Sequence, residues 1–236
     1  MNISLVICAY NEEKFLGPCL ASAIKNKAGL HEILVVNNAS TDKTEEVAKR
    51  FPNVNVVREE RKGLTRARER GLSEATGDIL AFIDADTLMP DGWVEKIARA
   101  YEHDPDLVCV SGPYIYYDAG FVTDVLVWLY WRIAGMPMYW LKGFMAVGGN
   151  FAAKKSALKK IGGFDTNIEF YGEDTNIARR LAQVGTVRFT LSLPMYTSAR
   201  RFRGDGLVRT GWLYGKNFLS EAFLRKPATE TYKDYR

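Results

Sequence analysis

The stretch Ile79-Leu80-Ala81-Phe82-Ile83-Asp84-Ala85-Asp86-Thr87 decides the fold. Five apolar residues run without interruption and then meet two carboxylates one residue apart. A run this short, preceded by Gly77, reads as a strand buried on both faces, the pattern of a parallel sheet covered by helices. In open α/β sheets, ligands bind beyond the carboxyl ends of such strands. Asp84 and Asp86 are therefore either a solvated turn or a seat for a hard cation, because Mg²⁺ and Mn²⁺ favour carboxylate oxygens.

The flanking sequence repeats the pattern. Residues 3–9 read as a first buried strand that ends at Tyr10-Asn11-Glu12-Glu13. An amphipathic helix is expected from Pro18, a residue suited to the first helical position. Ile33-Leu34-Val35-Val36 is a second strand, emptying into Asn37-Asn38-Ala39-Ser40-Thr41-Asp42, where Ser40 or Asp42 can cap the helix running to Arg50. Val54 to Val57 is a third strand, and Leu64 to Ala75 a helix. Strands alternating with helices at this spacing predict an α/β fold with a mostly parallel central sheet flanked by helices. The polar clusters at 10–13, 37–42 and 84–87 each follow a strand, so they should gather along one sheet edge. That convergence points to a nucleotide or another phosphate-bearing ligand.

Composition narrows the classes. The 236 residues are enough for one large domain or two small ones. Net charge is +4, and the residues from Tyr196 onward carry nine Lys/Arg against four Asp/Glu, so the positive surplus sits in the C-terminal segment. Such a segment suits an anionic partner: phosphate, nucleic acid or a membrane surface. Cys8, Cys19 and Cys109 are scattered, which argues against a disulfide framework or a structural zinc site. The chain enters its first strand at once, so the expected location is cytoplasmic. No Gly-x-Gly-x-x-Gly follows the first strand and no Gly-x-x-x-x-Gly-Lys occurs, which argues against dinucleotide dehydrogenases and P-loop hydrolases.

Several motifs in order carry a resemblance. Ala9-Tyr10-Asn11-Glu12, Val35-Val36-Asn37-Asn38-Ala39-Ser40-Thr41-Asp42 and Asp84-Ala85-Asp86 stand at strand ends. Between and beyond them come Gly63-Leu64-Thr65-Arg66-Ala67-Arg68, Ala75-Thr76-Gly77-Asp78, Gly162-Gly163-Phe164-Asp165 and Gly172-Glu173-Asp174. Over roughly residues 3–190 the chain resembles family 2 glycosyltransferases. The resemblance implies a GT-A fold, a nucleotide-sugar donor, a divalent cation and inversion at the anomeric carbon. It implies a single domain over 1–236, with a nucleotide-sugar half at 1–110 and an acceptor and catalytic-base half at 111–195. Residues 196–236 would form a basic lid or membrane contact.

The same resemblance assigns roles. Asp86 is the expected ligand of Mn²⁺ or Mg²⁺, with Asp84 holding the ribose or metal-bound water and Ala85 between them. Ala9, Tyr10, Asn11, Glu12, Asn37 and Asp42 fall to the base and ribose pocket. Asn37 stands where the family more often has Asp, an amide that both donates and accepts where a carboxylate only accepts. Arg68 matches a recurrent family arginine and could face the base or diphosphate, although Arg66, Arg68 and Arg70 also suit a solvated helix face. Glu69 replaces a usual Asn. Gly149 and Asn150 would lie against the donor sugar. By residue type alone, Glu173 and Asp174 suit the positive N-terminus of a helix. By resemblance Asp174 is the general base, with Glu173 orienting it or the acceptor.

Two stretches stay open. Phe121 to Ala146 is rich in Trp and Tyr but interrupted by Asp124, Arg132, Pro137 and Lys142, too broken for a bilayer span. It is either a buried helix pair forming the acceptor wall or an interfacial membrane surface. Ser198 to Gly206 reads as a basic, glycine-punctuated loop whose Arg201 or Arg203 could meet the leaving diphosphate or a lipid headgroup. Without a Gln-x-x-Arg-Trp motif, one sugar per encounter is expected.

The expected activity is thus of the hexosyltransferase type, using a UDP, GDP or dTDP sugar and a glycan or glycolipid acceptor, with no nucleic acid partner. The expected place is peripheral, at the inner face of a membrane. A sugar-phosphate nucleotidyltransferase and a catalytically silent sugar-nucleotide binder are the alternatives. Tyr10-Asn11-Glu12-Glu13 is the wrong chemistry for the first, and the intact Asp84, Asp86 and Asp174 count against the second.

Overall fold

A computed structural model of the chain describes residues 1–168, 170–226 and 228–229. Residues 230–236 of the basic segment thus lie outside the described residues. Seven strands form the main sheet: β1 (Ile3–Ala9), β2 (Leu30–Asn38), β3 (Asn55–Glu59), β4 (Ile79–Asp84), β6 (Leu107–Ser111), β8 (Asn150–Lys154) and β9 (Thr186–Phe189). Their order is β3-β2-β1-β4-β8-β6-β9. β1 to β4 pair in parallel, β8 runs antiparallel between β4 and β6, and β6 pairs in parallel with β9. β5 (Thr87–Leu88), β7 (Tyr114–Tyr116) and β10 (Met195–Thr197) make a second, three-stranded sheet in the order β5-β10-β7.

The two-residue period of the strands sorts their side chains between two cores. Ile3, Leu5, Ile7, Ile79, Ala81 and Ile83 face one core, with α1 (Leu16–Lys25), α2 (Thr44–Lys49) and α4 (Trp93–His103). Val6, Leu80 and Phe82 face the other, with α3 (Leu64–Glu74), α7 (Lys155–Lys160) and α8 (Glu173–Leu181). Burial on both faces explains why the strands are continuous apolar runs, and why Asp84, the last residue of β4, emerges at the sheet edge.

Three expectations need correction. The first helix begins at Leu16, two residues before Pro18. The stretch expected as a basic loop is helical over Arg200–Asp205 (α9), followed by α10 (Leu207–Leu224). The cause is distant: the Asp118 carboxylate accepts from Ala199 N at 2.6 Å and Ser198 Oγ at 2.9 Å, anchoring the start of α9. Finally, Phe121 to Ala146 is no buried helix pair. It folds as α5 (Phe121–Tyr130), one π-helical turn (Trp131–Gly135) and α6 (Met136–Lys142), and neither α5 nor α6 has a buried residue.

Candidate active site

The three polar clusters do meet at one edge. The first two are stitched together. Asn11, at φ 51°, donates from its backbone N to Ser40 Oγ, and its Oδ1 accepts from Thr41 N at 2.8 Å. Glu12 N donates to Thr44 Oγ1, and Glu13 N to Asp42 Oδ2. A left-handed asparagine is uncommon but tolerated when its side chain bonds locally or nearby, as here. Asn37 is held between Glu45, to which its Nδ2 donates, and Ser40 N, which donates to its Oδ1. Asp42 also receives Thr44 N, and accepted hydrogen bonds hold its carboxyl below the usual range despite partial burial. Lys62 Nζ sits 4.1 Å from the centre of the Tyr10 ring.

The β4 carboxylates lie beside this pair of loops. Tyr114 OH donates to Asp84 Oδ2 at 2.8 Å. Arg200 Nε lies 3.0 Å from Asp86 Oδ2, while its Nη1 and Nη2 donate to Glu12 at 2.8 and 2.6 Å. One planar guanidinium therefore joins the first cluster to the third, the geometry arginine suits and lysine does not. Ala85 is buried between the two acids. Gly149 packs against Asp84 and Tyr114 so closely that a Cβ there would overlap both side chains.

Arg68 links this end to Glu173 and Asp174. It is 2% exposed, donates to Glu173 and to Gly148 O, and lies 3.7 Å from Asp84 Oδ1. Gly172, at φ 82°, supplies the left-handed turn that starts α8, so Glu173 and Asp174 head the helix. Asp174 Oδ1 accepts from Thr175 N at 2.7 Å. Burial pushes Glu173 up to about 7 against the pull of Arg68, and burial likewise raises Asp174. Burial pushes Asp86 up to about 7, with Arg200 opposing. Among the described residues, five carboxyl groups (Glu12, Asp84, Asp86, Glu173, Asp174) thus share the fields of Arg68, Arg200 and Arg201.

Other expected residues sit differently. The Asn150 amide is engaged inside the protein: Trp93 Nε1 donates to its Oδ1, and its Nδ2 donates to Pro113 O and Leu193 O. Arg203 pairs with Asp118, away from the acids, and Arg201 stacks over the Phe170 ring at 4.3 Å. Glu69 accepts from Phe164 N, anchoring the Gly162-Gly163-Phe164 turn. No motif announced Tyr114, and within the basic stretch 198–206 the expectation falls on Arg201 or Arg203 rather than on Arg200, which lies 188 positions from Glu12.

Asp84 and Asp86 fit a divalent cation. They offer hard oxygens at a strand end, the Asp84 side chain is 37% exposed, and the local excess of acid favours positive charge. Among the described residues no third acid, histidine or cysteine gathers with them into a metal-binding cluster. A sparse pair suits Mg²⁺ or Mn²⁺, which commonly take only one or two carboxylates and fill the remaining positions with water and substrate phosphates.

Fold and site together define a GT-A protein, the architecture of nucleotide-sugar transferases. The chain belongs to glycosyl transferase family 2, whose profile matches residues 4–162. Membership sets aside the nucleotidyltransferase alternative. It is 26% identical over 194 residues to the glucosyl-dolichyl phosphate glucuronosyltransferase of Haloferax volcanii, covering 73% of this chain and 59% of that one. It is 25% identical over 247 residues to the probable glycosyltransferase YdaM of Bacillus subtilis, covering 94% and 57%. Among solved structures, the mannosyltransferase PcManGT from Pyrobaculum calidifontis, in complex with GDP-Man and Mn²⁺, superimposes with a TM-score of 0.73 at 23% identity, over 95% of this chain and 63% of that one. The chain spans less than two thirds of the length of these three proteins.

Proposed function

We propose that the chain is a metal-dependent, inverting glycosyltransferase that moves one sugar per encounter from a nucleotide-sugar donor to a hydroxyl of a glycan or lipid-linked glycan. The observation that carries this reading is Arg68, whose guanidinium touches both Asp84 and Glu173. It makes the leaving-group end and the base end one rigid unit, as an in-line displacement requires.

In this reading Asp174 accepts the proton of the acceptor hydroxyl. The acceptor oxygen forms its bond to the anomeric carbon from the face opposite the nucleoside diphosphate. The bond to the diphosphate oxygen breaks, its electron pair leaves with the diphosphate, and configuration inverts. Asp86 and Asp84 would hold a Mg²⁺ or Mn²⁺, which when bound supplies Lewis-acid neutralisation of the diphosphate. Asn11, Asn37 and Asp42 bind the nucleoside, and Arg200, which already reaches Asp86, fits the diphosphate side better than Arg201 or Arg203. The GDP-Man and Mn²⁺ bound by the Pyrobaculum protein support a nucleotide-sugar donor and a divalent cation. The dolichyl phosphate named for the Haloferax relative supports a lipid-linked acceptor. In the same reading that acceptor is used at the inner face of a membrane.

The test is transfer from a panel of UDP, GDP and dTDP sugars with Mn²⁺ or Mg²⁺. Asp174→Asn should keep donor binding and lose about 10²–10⁴-fold in turnover, the range of a general base. Full transfer by that variant, or indifference of the reaction to a chelator, would overturn the base or the metal assignment. Donor binding without turnover for any acceptor would leave the silent binder.

A further inference from the structure

The last described helix is amphipathic the wrong way round for a protein in water. α10 turns Thr210, Asn217 and Glu221 inward, all at most 4% exposed. It turns Trp212, Leu219, Phe223 and Leu224 outward, with Trp212 at 74%. The inner polar face is tied to the protein: Glu221 Oε1 accepts from Asn176 Nδ2 and Arg179 Nη2, both on α8, although Glu221 Oε2 and Thr210 Oγ1 are buried without a hydrogen-bond partner. Phe218 also packs inward, against the cluster of Met145, Val147 and Phe189, but Trp212, Leu219, Phe223 and Leu224 stay on the outer face, which is presented to something else.

That face does not stand alone. Lys142 of α6 places Nζ over the Phe223 ring and donates to Ala222 O, joining α6 to α10. On the α5–α6 side Phe121, Trp128, Ile133, Trp140 and Leu141 are exposed as well. Large apolar side chains exposed together on neighbouring helices, rather than singly, mark an interaction surface. Its charge is one-sided. Basic residues alternate with the apolar ones along α10, in the stripe Arg209, Trp212, Lys216, Leu219 and Phe223. Arg132 lies over the Trp128 ring at 3.9 Å. Asp124 is the sole exposed acid among the described residues of 121–142 and the side chains described within 206–229. Tryptophans interleaved with Lys and Arg are what the headgroup region of a bilayer selects. A partner protein, or a second copy of this basic chain, would need acidic groups to match.

We infer that α5, α6 and the outer face of α10 form a docking surface for a lipid bilayer with anionic headgroups, the aromatic rings entering the interface and the cations meeting the phosphates. Tyr130 of α5 and Tyr214 of α10 both feel the Asp174 carboxylate, so the surface borders the candidate base. A lipid-linked acceptor could then be reached with its lipid still in the bilayer. The inference deepens the membrane contact proposed above and stands or falls apart from sugar transfer.

The test is sedimentation of the full chain with phosphatidylcholine vesicles, with and without phosphatidylglycerol. Tryptophan fluorescence quenched by brominated lipid reports insertion. Binding is expected on the anionic vesicles, weakening as salt rises. Lys216→Gln with Arg132→Gln should weaken it about fivefold per charge removed. Trp212→Asp with Phe223→Asp should abolish both binding and quenching. Being exposed, these side chains can change without loss of fold, which circular dichroism verifies. Absence of wild-type binding, or undiminished binding by the Trp212/Phe223 variant, overturns the inference. So does a dimer in solution that this variant dissociates while vesicles are ignored. Vesicle binding without transfer would sink the enzymatic reading and leave this surface standing. Transfer to a soluble acceptor without vesicle binding would do the reverse.

Discussion

Arg68 and Glu173 form an ion pair across 105 positions of sequence with both side chains buried. The pair ties α3 to the head of α8, and through Asp84 to the end of β4. Burying a guanidinium is tolerable only because carboxylates and the Gly148 carbonyl replace its water.

Arg68→Ala should therefore be among the most destabilising single changes in the chain. Removing one partner of a buried pair costs about 3–5 kcal/mol. Urea denaturation checks this, and the loss should be smaller at pH 5 than at pH 8, because the stranded Glu173 can take up a proton at the lower pH.

The pH dependence of the parent protein follows from the same residue. A glutamate in the unfolded chain titrates near its ordinary 4.5, whereas folded Glu173 holds its proton up to about 7. Between those values the folded state binds more protons, so this residue's contribution makes stability fall as pH rises through the window. Glu173→Gln should flatten that part of the profile, read from denaturation midpoints between pH 4.5 and 8. An unchanged slope would show that Glu173 titrates normally.

Arg200→Gln strips two buried or half-buried acids, Glu12 and Asp86, of their shared cation. The variant should melt lower than the parent without divalent metal and recover more of the difference when Mn²⁺ is added. Thermal shift against Mn²⁺ concentration measures it. Equal Mn²⁺ responses in both proteins would separate Asp86 from the cation.

Gly149 and Tyr114 give a paired test of Asp84. Gly149→Ala forces a Cβ into Tyr114 and Asp84, whereas Tyr114→Phe removes only the hydroxyl that donates to Asp84. Tyr114→Phe should leave stability within about 1 kcal/mol, the net worth of one hydrogen bond, and weaken metal-dependent donor binding. Gly149→Ala should lower both. Isothermal titration with nucleotide sugar and Mn²⁺ distinguishes the two outcomes.

What sequence alone determined is the layered fold and the edge where chemistry gathers. Burial on both faces writes itself into β1, β2 and β4 as continuous apolar runs, and the polar residues that end each run have to fall on one side of a parallel sheet. Asp84-Ala85-Asp86 stands out as a local pair of acids at a strand end, whereas Glu173-Asp174 are singled out by the family resemblance, since by residue type they suit a helix N-terminus equally well. Which arginine does what was not legible. Arg66, Arg68 and Arg70 look alike on paper, yet α3 turns Arg68 into the core and leaves Arg70 to pair with Glu74 at the surface. Arg200, Arg201 and Arg203 are equally alike. Successive residues of a helix point about 100° apart: Arg200 pairs with both Glu12 and Asp86, while Arg201 lies over the Phe170 ring and Arg203 pairs with Asp118. Only the tertiary structure could also reveal α10 as an inverted helix, because a helix's apolar stripe says nothing of which side the protein will occupy. That depended on Glu221 finding Arg179 and Asn176, partners 42 and 45 positions away.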